Sequence, residues 1–260
     1  MMRKGLFLAA VAFGVVLMAV PAAAAAPAAA AAAKGGLSID FSGGGLFTEK
    51  MMQLIALITL LSVAPAILIM MTSFVRIVVV LSLLRTALGT QAAPPNSVIV
   101  SLALFLTLFV MTPTFDAAYS QGIKPLMNNE IGTTEAFDRA AVPMKRFMLA
   151  HTRKADLKLF VDMSGDKPPA TPEGLKLTVV APAFMISELK RAFEIGFLIF
   201  VPFLIIDMAV ASILMSMGMM MLPPVTISLP FKLIFFVLVD GWRVLAGSLI
   251  ESYMHGPPPG

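Results

Sequence analysis

Long apolar segments alternate with one polar stretch along the chain. The first apolar segment runs from Met51 to Val75 and continues past Arg76 to Leu84, and the second covers Val98 to about Thr112. The third begins after Glu194 and ends at Met221, and the fourth runs from about Val225 to Ile250. Each segment has the length and composition of a helix that lies at membrane depth. The pattern therefore predicts two membrane helical hairpins, at 47–120 and 191–253.

The polar stretch between the hairpins, residues 121–190, is predicted to form a small helical insert exposed to water. One helix face is predicted from the spacing of Phe137, Ala141, Met144, Phe147, Met148 and His151. Ser187 has the residue type and position of an N-cap for a helix that continues into the third apolar segment.

Composition agrees with a membrane location. Hydrophobic residues make up 58% of the 260 residues and charged residues 13%, with a mean hydropathy of +0.91. A soluble domain of this length could not bury so much apolar surface in one core. The predicted fold class is an all-α integral membrane protein.

The N-terminus has the features of a secretory signal peptide. Arg3 and Lys4 precede an apolar run, and Ala22-Ala23-Ala24 supplies a small-residue cleavage site. We predict a signal peptide over 1–24, with a retained first membrane helix as the alternative, and a disordered Ala/Gly-rich segment over 25–46. A Pro/Gly tail is predicted over 254–260.

Cleavage of a signal peptide would set the orientation of the chain. The mature N-terminus would lie outside, so the predicted loop from Arg76 to Asn96 would be cytoplasmic, and the insert 121–190 and the C-terminus would lie on the outer side. The excess of basic residues on cytoplasmic loops agrees weakly with this topology.

Several classes of function are disfavoured by the sequence. Basic residues of the insert interleave with acidic ones, so the net charge of +4 forms no stripe for nucleic acid. The absence of cysteine excludes thiolate catalysis, and His151 and His255 stand in no metal-ligand spacing. We expect no enzyme activity, no cofactor, no metal and no nucleic-acid partner.

Charged residues inside the apolar segments are the strongest functional signal. Asp207 and Lys232 interrupt the third and fourth segments, and such residues face protein or water and are usually paired. Asp240 and Arg243 are spaced to share a helix face, as are Lys232 and Arg243. The spacing alone is equally compatible with an ion pathway and with ion pairs that fix assembly.

Methionine is concentrated next to the Pro223-Pro224 turn. Met219, Met220 and Met221 stand in a row there, and a helix cannot direct all three side chains into one core. At least one of them is predicted to face a lumen or a partner.

Several strings of residues, in order over about 47–253, resemble the FliP family of flagellar biosynthetic proteins. The strings are Ala66–Ile77, Leu83–Asn96, Glu188–Phe197, Leu214–Pro224 and 229–242. The resemblance does not extend to the Ala-rich segment 20–46 or the loop 160–176.

The resemblance implies an export-gate subunit of the flagellar type III secretion apparatus. It implies a pentameric helical ring with FliQ-like and FliR-like proteins in the bacterial inner membrane, at the flagellar basal body, through which unfolded flagellar subunits pass. It also implies a pore gasket formed by Met219, Met220 and Met221. The charges Asp207, Lys232 and Asp240, with Arg243, Glu188 and Glu194, are then expected to act in assembly, and the first three in pairing between subunits.

Two alternatives remain at this stage. One is the homologous gate subunit of a virulence injectisome, although the signal peptide favours the flagellar branch. The other is an ion-coupled secondary transporter in which Asp207 and Lys232 bind or relay ions, although the sequence has no visible inverted repeat.

Overall fold

The computed structural model describes residues 71–90, 93–165, 169, 171–219 and 222–254, with part of 51–70. The predicted signal peptide, the Ala/Gly-rich segment and all but the first residue of the predicted tail lie outside these residues, as do Met220 and Met221. The helices are α1 (Phe74–Leu88), α2 (Asn96–Ala118), α3 (Lys124–Met127), α4 (Thr133–His151), α5 (Lys154–Ser164), α6 (Leu177–Ser216), α7 (Pro224–Leu238) and α8 (Gly241–Met254). The described part of the chain is all-helical, without a strand, and these helices belong to the unit Thr59–Gly260.

Helix α1 lies at the centre of the main core. Its buried residues Ile77, Val80, Leu81 and Leu84 recur at the spacing of one helix face. The opposing helix α6 approaches closely because a β-carbon at Gly196 would lie 2.3 Å from Leu83 Cδ1. Helix α1 ends at Gly89, whose φ of 76° is a left-handed conformation that glycine adopts without strain.

Two stretches of helix are long and apolar enough to cross a membrane. One is Asn96–Met127, where a π-helical turn, Tyr119–Ile123, joins α2 to α3, and the other is α6. Helices α7 and α8 pass the same criteria together as a pair bent by 61°. These spans fit the predicted integral membrane protein. Helix α2 buries a single stripe, while Phe105 and Phe109 on its other sides are exposed.

Helix α4 confirms the predicted helix in the insert, but its buried face differs from the prediction. Met148 and His151 are buried, whereas Phe137 is 74% exposed. The small residues of α4 face Gly122, where an added β-carbon would lie 2.6 Å from Ala140 Cβ. This close contact turns Phe137 away from the packed side.

The predicted helix start at Ser187 was wrong, because α6 begins at Leu177 and continues unbroken to Ser216. Ser187 is fully buried within this helix. The change from polar to apolar composition near residue 190 therefore does not interrupt the helix. Met148 of the insert packs with Val180 and Phe184 in the first turns of α6.

Candidate functional site

A buried ion pair joins the first turn of α1 to the first third of α6. Arg76 Nε donates to Glu188 Oε2 over 2.9 Å, and a second guanidinium nitrogen donates to the other carboxylate oxygen. The two side chains are 1% and 0% exposed. This two-point geometry satisfies both carboxylate oxygens, as a buried pair requires.

Two side chains of helix α8 also bind this ion pair. The Tyr253 hydroxyl donates to Glu188, and the Arg76 guanidinium lies over the Tyr253 ring at 3.9 Å from its centroid. The remaining guanidinium nitrogen donates to Ser252 Oγ over 3.1 Å. We call Arg76, Glu188, Ser252 and Tyr253 the arginine cluster. It holds α1, α6 and α8 together through three buried side chains and the partly exposed Ser252.

Arg76 lies in α1 and not in a cytoplasmic loop, so the predicted Arg76–Asn96 loop was wrong in its first part. The residues up to Leu88 form a helix, and the connection to α2 is short. Arg85 holds this connection by donating to Asn96 Oδ1 over 3.3 Å. Because Arg76 is paired inside the protein, it does not count toward the excess of basic residues that is expected on cytoplasmic loops.

A second ion pair, of a buried lysine and a partly exposed aspartate, lies between α6 and α7. Lys232 Nζ is 2.6 Å from Asp207 Oδ2, and Ser228 donates to the other carboxylate oxygen over 2.5 Å. The Lys232 ammonium also donates to the Ala87 carbonyl over 3.3 Å. Within the described chain, Asp207 and Lys232 are thus paired with each other. Pairing between subunits, which the resemblance implied for these two residues, is not needed to neutralise them.

The two partners of this pair should not be equivalent in mutation. Asp207→Ala leaves the Lys232 ammonium, 4% exposed, without its counter-ion, at a cost of about 3–5 kcal/mol. Lys232→Ala leaves a carboxylate that is 27% exposed and still bound by Ser228, at a cost of about 1–2 kcal/mol. Yield after detergent extraction should fall further for Asp207→Ala. Glu173→Ala, on the exposed surface, is the control, and equal losses in the two variants would contradict this ranking.

A third cluster lies between α5 and α6. Arg153 forms two hydrogen bonds with Asp156, of 2.9 and 2.8 Å, and Ser187 donates to the same carboxylate over 2.6 Å. The hydrogen bonds from Arg153, followed by that from Ser187, lower the pKa of Asp156 below its ordinary value although burial opposes this shift. Ser187 thus binds a distant carboxylate instead of capping a helix.

The lowered pKa of Asp156 predicts a dependence of stability on pH. Its contribution is present above the pKa of the unfolded chain and is lost as the pH falls through the lower, folded-state value. Asp156→Asn should lower the free energy of unfolding at neutral pH by about 1–3 kcal/mol. It should also reduce the further loss of stability that the wild-type chain shows as the pH falls into the acid range. Unfolding in detergent across an acid pH series measures both effects. Asp162→Asn, at an exposed position, should leave the loss of stability at acid pH as in the wild type. The same loss in Asp156→Asn would refute the prediction.

Three residues predicted as buried assembly charges are exposed on this chain. Glu194 is 59% exposed and lies 3.8 Å from Lys190, and Asp240 and Arg243 are 64% and 87% exposed at a separation of 3.8 Å. None of the three is buried within the chain, since Glu194 and Arg243 lie on outward faces of α6 and α8 and Asp240 lies at the break between α7 and α8. A role for them between subunits stays a prediction.

Lys232 and Arg243 do not share a helix face. The helix breaks at Asp240, whose φ is 51°, so Lys232 belongs to α7 and Arg243 to α8. The bend between these helices is 61°. The face predicted from an eleven-residue spacing assumed a continuous helix.

The methionine turn is defined as residues 217–222, between α6 and α7. Met219 is 39% exposed and Met217 66% exposed, and Gly218 has a φ of 75° that allows the chain to leave α6 sharply. Met220 and Met221 lie outside the described residues. The described methionines of the turn are thus available to a partner or a lumen.

Sequence reasoning missed Arg76, Tyr253, Arg153 and Asp156. Arg76 could have been recognised from the sequence, since a charged residue inside a long apolar run usually has a partner. Tyr253 carried none, because its partner Glu188 is 65 residues away in the chain. Among the described residues, no group of three or more His, Cys, Asp or Glu side chains could hold a metal ion.

Comparison with known proteins agrees with the resemblance noted in the sequence. The model of the FliP family matches residues 57–249. The chain belongs to the FliP family. It is 60% identical to the flagellar biosynthetic protein FliP of Caulobacter vibrioides, over 86% of this chain and 84% of the relative. The protein of the same name from Bacillus subtilis is 57% identical, over 77% of this chain and 91% of the relative.

Proposed function

We propose that the chain is a channel-forming subunit of the flagellar type III secretion export gate in the bacterial inner membrane. In this proposal several copies, five by the resemblance, form a helical ring with FliQ-like and FliR-like proteins, and unfolded flagellar subunits pass through it. The insert 121–190 lies on the periplasmic side. Membership of the FliP family and the flagellar names of the relatives favour this role over that of an injectisome subunit.

The observation that carries the proposal is the size of α6 and the extent of its uncovered apolar surface. At 40 residues, α6 is about 60 Å long, twice the roughly 30 Å of a hydrocarbon core. Within its most apolar stretch of 18 residues, only 11% of the residues are buried. Exposed apolar side chains lie along α6 from Leu177 and Ile186 to Met215, a distance of about 57 Å. The hydrocarbon core alone cannot cover all of them, so neighbouring subunits are the natural cover for the rest.

The buried charges support an assembly subunit over an ion-coupled transporter. Each of two pairs, Arg76–Glu188 and Asp207–Lys232, forms further hydrogen bonds with side chains of the same chain. A carboxylate that binds or releases an ion in each transport cycle needs a free position, whereas these groups are occupied by fixed donors. The pairs fix the relative positions of helices, as a ring subunit requires.

The proposal is tested by purifying the chain with and without its neighbouring proteins. We expect a ring of several copies in single-particle images of the co-expressed complex, and a strain lacking the chain should make no flagellar filament. The purified chain alone should not transport ions in liposomes. A monomer that supports ion-coupled uptake by itself would contradict the gate and favour the transporter.

A further inference from the structure

His151 lies buried where the insert meets helix α8. It is the last residue of α4, and its side chain is almost completely removed from solvent. Its ring packs beside Phe147 of the same helix and Tyr253 of α8, with centroid distances of 4.5 and 5.1 Å. The insert and α8 are therefore in contact through one imidazole that is not part of the arginine cluster.

Both ring nitrogens of His151 face backbone carbonyl oxygens. Nδ1 lies 2.8 Å from the Phe147 oxygen, and Nε2 lies 3.4 Å from the Tyr253 oxygen. A carbonyl oxygen can only accept a hydrogen bond, so each contact requires an N–H on the ring. The neutral ring has one N–H and the protonated ring has two. Both hydrogen bonds can therefore form together only when the ring carries a positive charge.

The charged side chains around this junction are paired with one another. From α8 the ring is faced by Tyr253, a phenol that stays neutral near pH 7. The Tyr253 hydroxyl donates to Glu188 of α6, whose charge is neutralised by Arg76 of α1. Arg153, between α4 and α5, binds Asp156. In the described part of the chain no carboxylate forms an ion pair with the ring, so backbone carbonyls are left to stabilise its charge.

We propose that His151 is a pH-sensitive clamp that holds the insert against helix α8 when its imidazole is protonated. Helix α4 ends at this residue, and the C-terminus of a helix stabilises a cation in its last turn. Loss of the proton leaves one N–H, which the closer Phe147 carbonyl retains, so the contact with the Tyr253 carbonyl is lost. The clamp is therefore closed in mildly acidic medium. It opens as the pH rises through the range of about 5–8 in which histidine side chains lose their proton.

Amide hydrogen exchange in the purified complex tests the clamp. After correction for the effect of pH on chemical exchange, the local opening constant of residues 249–254 should be about tenfold smaller at about pH 5.5 than at about pH 7.5, as expected for one charge-assisted hydrogen bond. His151→Gln, whose amide donates without titrating, should abolish this difference. His255→Gln replaces the other histidine of the chain and should retain it.

Equal opening constants of the wild-type chain at the two pH values would overturn the inference. The full tenfold difference in His151→Gln would also overturn it, because another group would then be responsible. The wild-type comparison requires no substitution, so it decides the matter even if His151→Gln does not assemble.

The inference rests on the proposed function only for the compartment whose pH the clamp senses, which is the periplasmic side if the insert lies there. Spin labels at Ala150→Cys and Ser248→Cys, both exposed positions, report the distance between α4 and α8 in a chain without other cysteines. In membrane vesicles, the distance distribution should broaden when the pH is raised on the periplasmic face. Broadening in response to the cytoplasmic face alone would leave the clamp standing and contradict the proposed orientation. No broadening from either face would overturn the clamp.

Discussion

Arg76→Met should prevent the folded chain from accumulating. The substitution leaves the Glu188 carboxylate, fully buried, with the Tyr253 hydroxyl as its remaining side-chain donor among the described residues. Removal of one partner from a buried pair costs about 3–5 kcal/mol, a large part of the roughly 5–15 kcal/mol that keeps a domain folded. The loss of the Tyr253 ring contact and the Ser252 hydrogen bond adds to this cost.

The companion variant distinguishes a charge effect from a packing effect. Arg76→Met/Glu188→Met removes both ions and retains apolar volume, and such replacements are often neutral or stabilising. Accumulation of the double variant, measured as chain in the detergent extract, should therefore recover most of the wild-type level. Arg146→Met, at an exposed position of α4, is the control for loss of an arginine. A single variant that accumulates as well as this control would show that the arginine cluster is dispensable for folding.

The charges in apolar segments were predictable where a local rule applies to them. Asp207 and Lys232 stand out because an ion at membrane depth requires a partner, and the Pro223-Pro224 turn brings their helices side by side. The contact of Lys232 with the Ala87 carbonyl could not be predicted, because that group is 145 residues from Lys232 and belongs to the backbone, which no pattern of side chains reveals.

The errors arose where composition was used in place of packing. Arg76 was assigned to the start of a predicted loop, yet it is paired inside the fold with a residue 112 positions away in the chain. Ser187 has the residue type of a cap, but a donor inside a helix can serve equally well when a carboxylate such as Asp156 packs against it. Both cases require knowledge of which helices are neighbours, which sequence periodicity does not provide.

The second large effect is expected at Met219, Met220 and Met221. A secretion conduit must block ions at rest and pass chains of any side-chain sequence when active. A rigid aromatic constriction would adapt poorly, and a polar one would remain wet and leak. Unbranched thioethers can close the pore by apolar contact and then move aside through rotamer changes of low cost. In a ring of several copies, these three residues would form a continuous collar of side chains.

Replacement of all three methionines with alanine should therefore widen the closed conduit without preventing ring assembly. Met219 is 39% exposed, so we expect no large loss of subunit stability from its truncation. Resting leakage of ions or small solutes in cells with the complete gate should rise at least about tenfold, while the amount of purified ring stays near wild type. Met127→Ala/Met163→Ala, at exposed positions of the insert, controls for loss of methionine as such. Wild-type leakage from an assembled triple variant would show that these methionines serve in packing and not as a gasket.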